Sequence, residues 1–196
     1  MKVIYSDRLP EDFKSLVSLL ILSTFKEKLL PILGDDERAN QIIEESINRT
    51  NCITAINDQQ LVGLLGFQND QSLFFQPSLN VMIRAYGIFG GLLRKTYLKL
   101  IDHHTAPNEC YVFCIAVSKD ARGQGIGSHL LTKLEERAIQ DGATKISLQV
   151  ITTNPRAESL YKRLGFVKYK QNSFWPLNRL LGWSFDSATL MIKKIG

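Results

Sequence analysis

Three glycines alternate in the run Arg122-Gly123-Gln124-Gly125-Ile126-Gly127, directly before an amphipathic segment. Here residue types and spacing together suggest chemistry. Glycine lets backbone approach a ligand closely and take conformations closed to other residues. The first turn of a helix leaves N–H groups without partners, and the helix dipole adds an attraction for negative charge. Such a turn suits a pyrophosphate, with the Arg122 guanidinium as a charged donor at its mouth. Two other phosphate loops fit less well. A P-loop ends in Gly-Lys-Ser or Gly-Lys-Thr, whereas Gly127 is followed by Ser128 and His129. The dinucleotide pattern G-x-G-x-x-G would need a third glycine where Ser128 stands. A tight turn into a helix, with no ligand at all, stays open on the loop alone.

Its neighbours narrow the choice. Ile115-Ala116-Val117, then Arg122-Gly123-x-Gly125-Ile126-Gly127-Ser128-x-Leu130-Leu131, resembles the cofactor segment of the GNAT family of N-acetyltransferases. Further on, Asn154-x-x-Ala157-x-x-Leu160-Tyr161-x-x-Leu164-Gly165-Phe166 resembles that family's next helix, after the next strand. The likeness runs from Cys110 to Tyr169, is weaker from Met1 to Phe67, and is absent from Asn69 to Asn108. The resemblance implies a mixed, mostly antiparallel sheet flanked by helices on both faces. It implies acetyl-CoA as cosubstrate, no metal, and direct attack of a primary amine in a ternary complex. The acceptor it allows is a small amine or a protein N-terminus.

Residue by residue, the resemblance implies that the amides of Arg122, Gly123, Gln124, Gly125, Ile126, Gly127 and Ser128 hold the pyrophosphate of coenzyme A. The backbone of Ile115, Ala116 and Val117 would pair with the pantetheine arm where the central strands part. Asn154 would bond the pantetheine, and Tyr161 would stand near the thioester sulfur as a general acid. Plain structural roles are open for two of these: Asn154 as a helix cap before Pro155, and Tyr161 as a half-buried aromatic. The same loop would also serve a noncatalytic CoA-binding module that senses or scaffolds.

An amine nucleophile must lose its proton before or during attack. Glu109, eight residues before Val117 at the start of the central strand, stands where the resemblance implies a catalytic glutamate in some family members, and is the candidate base. The more interior position that the resemblance implies for other members holds Phe113, which cannot act as one. His103 and His104 are alternatives, because imidazole titrates near neutrality. A solvated carboxylate at a strand start and two helix-end histidines are the plain readings of the same residues.

The elements that must position these groups follow from periodicity. A short strand is expected over Lys2–Ser6, then a long helix from Asp12 ended by Pro31 and Gly34. Asp35 caps a second helix running to about Asn48. Asn51–Ile56 and Leu61–Phe67 read as a hairpin about Asn57-Asp58-Gln59-Gln60. Tyr111–Val117 reads as a buried strand, Ile126–Gln140 as a helix closed by Gly142, and Lys145–Ile151 as an alternating strand. A helix from Asn154 to Gly165 and two late strands, Phe166–Tyr169 and Ala188–Ile192, complete a mixed α/β order around a loop rich in Trp, Phe and Gly. The chain reads as one N-acetyltransferase domain, 1–196, with a helical insert at about 69–108. Asn80–His103 in that insert could form one or two helices with a break at Gly90-Gly91. Its apolar stripe, with Arg84, Arg94, Lys95 and Lys99 between, suits packing on the core, a dimer interface, a lid or wall over the acceptor, or contact with a membrane surface.

Composition excludes several classes. With 44% hydrophobic residues in 196, the chain can bury a core, yet no run reaches the roughly 18 apolar residues of a membrane span. The start is broken by charges and Pro10 too early for a signal-peptide core, and a cytoplasmic location is expected. Cys52, Cys110 and Cys114 form no metal-like cluster, and the latter two sit in an apolar run as small hydrophobes. The net charge of +5 comes from scattered Lys and Arg, without the basic–aromatic groove of a nucleic-acid binder.

Overall fold

The apolar run before Val117 and the alternating segment after Lys145 become neighbouring strands of one seven-stranded sheet. The computed structural model describes residues 2–196, with the backbone alone at Ile101. In chain order it holds β1 (Ile4–Ser6), α1 (Lys14–Leu33), α2 (Asp36–Ser46), β2 (Cys52–Asn57), β3 (Gln60–Gln68) and α3 (Leu79–Ile101). Then come β4 (Glu109–Val117), α4 (Ile126–Gln140), β5 (Lys145–Ile151), α5 (Pro155–Arg163), β6 (Val167–Ser173), α6 (Leu177–Leu181) and β7 (Ser187–Lys194). The strand order is β1-β2-β3-β4-β5-β7-β6. Every neighbouring pair is antiparallel except β4 with β5. The sheet is therefore mixed and mostly antiparallel, with helices on both faces, as expected.

Two cores explain the layering. On one face α4 and α5 bury Leu130, Leu134 and Tyr161 with Val112, Ile146 and Leu148 of the sheet. On the other, α1, α2 and α3 bury Val17, Ile42 and Met82 with Leu64 and Cys114. Local signals hold at the helix starts: the Asp35 carboxylate accepts from Arg38 N at 2.9 Å and caps α2. The β2–β3 turn has left-handed Asp58 and Gln59, φ 46° and 61°, the backbone that matches the twist of a tight hairpin.

Three expectations need correction. Pro31 lies inside α1, which runs on to Leu33 and bends instead at Phe25. Proline removes one donor, but Gly34 N still closes the last turn on Leu30 O at 2.7 Å. The break in α3 falls at Gly87, with φ 70° and ψ 176°, not at Gly90-Gly91. Gly91 has a different role: a Cβ there would lie 2.8 Å from the Met82 carbonyl, so its absence lets the two halves of the helix close on each other. The aromatic-rich loop before β7 contains the short helix α6, whose Leu181 and the nearby Trp183 and Phe185 join the α1 core.

Candidate active site

The site begins with a fork in the sheet. Only Glu109–Val112 of β4 pairs with β5, opposite Lys145–Leu148. Both strands continue, to Val117 and Ile151, without pairing further. On its other side β4 stays bonded to β3, with Ile115 opposite Leu65, Ala116 opposite Leu64 and Val117 opposite Gly63. The edge of β4 beyond Val112 thus carries backbone groups that a flat sheet would have satisfied, and an extended amide-bearing chain could take the missing strand's place. A bulge accompanies the parting. Gly66 faces Cys114 and Phe67 faces Val112, so Phe113 is an extra residue in β4. Bulges bend and twist a strand. The Phe113 ring is wedged against Phe74 and Phe75, with centroids 5.6 and 5.9 Å away.

Val117 leads from the fork into the glycine turn. Ser118 N bonds Val62 O at 2.9 Å, Arg122 Nε donates to Val117 O at 3.1 Å, and Gln124 Nε2 donates to Asp120 O at 3.2 Å. Gly123 and Gly125 have φ of 82° and 78°, and a Cβ on either would meet nothing within 4 Å. Their need for glycine is therefore conformational, and the space above them is open. Among the described residues, none of the six successive amides from Gly123 to Ser128 has an acceptor; the first bond of α4 is His129 N to Gly125 O at 3.1 Å. Six free donors at the positive end of a 15-residue helix form an anion cradle. Gly63, which sequence reasoning passed over, seats this helix: a Cβ there would lie 2.9 Å from Ile126 Cγ2. A glycine inside a strand pattern was the available signal.

Helix α5 closes on the same place. A Cβ on Gly127 would lie 3.7 Å from Leu160 and 3.9 Å from Ile115, so the loop, α5 and the fork edge converge there. Asn154 caps α5, its Oδ1 accepting from Ala157 N at 3.1 Å. The plain role is thus filled by the oxygen, while the exposed side chain's Nδ2 is engaged by no acceptor among the described residues. Tyr161 is 6% exposed and packs edge-on to Phe166 at 6.0 Å. Burial pushes its phenol up to about 12, and Cys114 pushes the same way. Its hydroxyl therefore keeps its proton at neutral pH.

Glu109 lies apart from these groups. It opposes Lys145, three residues before the last β4–β5 pair, which is about 10 Å along the strand. It is buried, and its oxygens are fully engaged. Oε1 meets His103 Nε2 at 3.1 Å and accepts from Ser147 Oγ; Oε2 accepts from Ala106 N at 3.0 Å and lies 3.4 Å from Lys145 Nζ. Burial pushes the carboxyl up, but the bonds from His103, Ser147 and Ala106 outweigh it and hold the carboxyl at about 2. The His103 ring stacks on Tyr111 at 4.2 Å, whereas His104 is exposed. Gln68, buried at the end of β3, fixes the segment before Glu109 by donating to His103 O at 3.1 Å.

A cavity of about 730 Å³ opens beside this network, between His103, Glu109 and Lys145 on one side and Val167, Leu190 and Lys194 on the other. A second cavity, about 490 Å³, lies at the end of α2 among Glu45, Asn48, Asp70 and Ser72, remote from the fork. Among the described residues no helix is long and apolar enough to cross a membrane.

Comparison with known proteins agrees with this geometry. Residues 18–166 match the model of the Acetyltransferase (GNAT) family. The chain is 38% identical over 72 residues to thialysine N-epsilon-acetyltransferase of Bos taurus, covering 37% of this chain and 42% of that protein. It is 34% identical over 68 residues to N-alpha-acetyltransferase MAK3 of Arabidopsis thaliana, covering 35% and 36%. The matched part is thus less than half the length of either relative. The PaiA N-acetyltransferase of Thermoplasma acidophilum, solved in complex with coenzyme A, shares the fold with a TM-score of 0.58 at 15% identity, over 99% of each chain. With the family model spanning the fork, the glycine cradle and α5, the chain belongs to the acetyltransferase (GNAT) family of enzymes.

Proposed function

We propose that this protein transfers an acetyl group from acetyl-CoA to a primary amine by direct attack in a ternary complex. The observation that carries the reading is the run of six acceptor-free amides, Gly123 to Ser128, at the mouth of the β4–β5 fork. A pyrophosphate on the cradle leaves an amide-bearing arm free to run along the open edge of Ile115, Ala116 and Val117, with Asn154 Nδ2 and the Arg122 guanidinium as further donors. That direction brings a thioester to the narrow end of the fork, beside Tyr161. The amine adds to the thioester carbonyl, the carbon–sulfur bond breaks, and the protonated phenol of Tyr161 supplies the proton to the departing thiolate.

The amine's own proton leaves on the acceptor side. Glu109 is too strongly held to take it directly, so we assign the step to water or His103, with Glu109 orienting the imidazole through Nε2. The chain is read as one domain, acting in the cytoplasm as its three unpaired, buried cysteines suggest. The engagement of Glu109 also favours a second reading, a CoA-binding module without turnover.

Gly125→Val tests the cradle. A branched side chain at φ 78° must distort the turn and crowd the phosphates, so CoA affinity measured by calorimetry should fall below detection. Unchanged affinity in a folded variant would remove the loop from the site.

A further inference from the structure

The cavity beside Glu109 has an order that follows from strand register. Across β7, β5 and β4 its outer row is Lys194, Lys145 and Glu109. The next register row inward is Val167, Ile192, Ser147 and Tyr111, and the innermost is Leu190 with Gln149; of these Val167, Ile192 and Leu190 line the cavity. Gln149 is the first residue of β5 past its last pair with β4, so the innermost row stands level with the fork. Lys194 and Leu190 are four residues apart on one strand face, about 13 Å.

The charges along this path are unequal. Glu109 is the one carboxylate in the lining, and four donors already engage it. Lys145 faces Glu109, while Lys194 has no carboxylate partner among the described residues. Between the ends lie Val167, Ile192 and Leu190, with Tyr169 beside them. A polyamine or other polycationic acceptor would find no free anion here. A molecule with an apolar middle and a negative far end would find both its needs met.

We propose that the acceptor is an amine with an apolar body ending in a carboxylate, the amine at the fork and the carboxylate at Lys194. This rests on the acetyl-transfer reading above and names its substrate class. Allowing for the reach of the lysine side chain, nitrogen and carboxylate stand roughly 7–13 Å apart, the span of a two- to four-residue peptide at about 3.3–3.6 Å per residue.

The test uses acetyl-CoA with three acceptors: an apolar tripeptide with a free C-terminal carboxylate, the same tripeptide as its C-terminal amide, and spermidine. The intact protein should prefer the acid over the amide by about 2–5-fold in kcat/KM, through KM, the size expected of an exposed pair. Spermidine should be poorer than either. Lys194→Met should erase the preference and Lys194→Glu should reverse it, with CoA affinity unchanged in both. Equal use of acid and amide by the unmodified protein, a preference that survives Lys194→Met, or spermidine as the best acceptor would each overturn the proposal while leaving acetyl transfer intact. Failure of every amine to release thiol would instead remove the acetyl-transfer reading, and this inference with it.

Discussion

Replacing Glu109 by glutamine should show how much of the fold rests on one carboxylate. The side chain is 6% exposed and takes bonds from His103, Ser147 and the Ala106 amide, with Lys145 near. These hold its pKa at about 2, against 4.5 for an ordinary glutamate. That gap corresponds to about 3 kcal/mol. Because the folded value lies below the unfolded one, the stabilisation is complete above about pH 4.5 and disappears as pH falls toward about 2. Glu109→Gln removes the charge and turns one acceptor into a donor facing other donors. It should therefore cost about 2–3 kcal/mol near pH 7 and progressively less below about pH 4. Urea unfolding of both proteins from about pH 7 down to about pH 3 reads this as a shrinking difference in midpoint. A difference that stays constant across that range would refute the idea that the ionised carboxylate is what the network holds.

Tyr161→Phe should lower kcat by roughly 10²–10⁴ with little change in CoA affinity, in steady-state assays where chemistry limits the rate. Wild-type kcat would return Tyr161 to a packing role. Gly91→Ala puts a Cβ 2.8 Å from the Met82 carbonyl and should destabilise the fold by about 1–3 kcal/mol, seen as a lower Tm; an unchanged Tm would mean that the two halves of α3 do not close as described.

Much of the candidate cofactor half, the glycine turn and the start of α5, was legible because its signals are local. Alternating glycines ahead of an amphipathic run, and Asn154 before Pro155, each fix a backbone shape within a few residues, and both appear where expected. The surroundings of Glu109 were not legible in the same way. The engagement of Glu109 depends on His103, Ser147 and Lys145, which register and the end of α3 bring together from different elements. No spacing along the chain announces that. Gly90-Gly91 misled for a related reason. A glycine pair signals a break by conformational freedom, but Gly91 is needed for close approach, and the break falls at Gly87. The role of Gly63 beneath Ile126 is likewise a contact between β3 and α4 that periodicity cannot reveal.

Amine-dependent release of free thiol from acetyl-CoA tests acetyl transfer most directly. A panel of amines, including N-terminal peptides and small amines, is incubated with the protein and acetyl-CoA, and thiol and acetylated amine are quantified together. Acetyl transfer predicts thiol formed one-for-one with acetylated amine for at least one acceptor, and its loss with Gly125→Val. Tight CoA binding with no amine-dependent thiol from any acceptor would contradict it, and the fork would then serve a binding module.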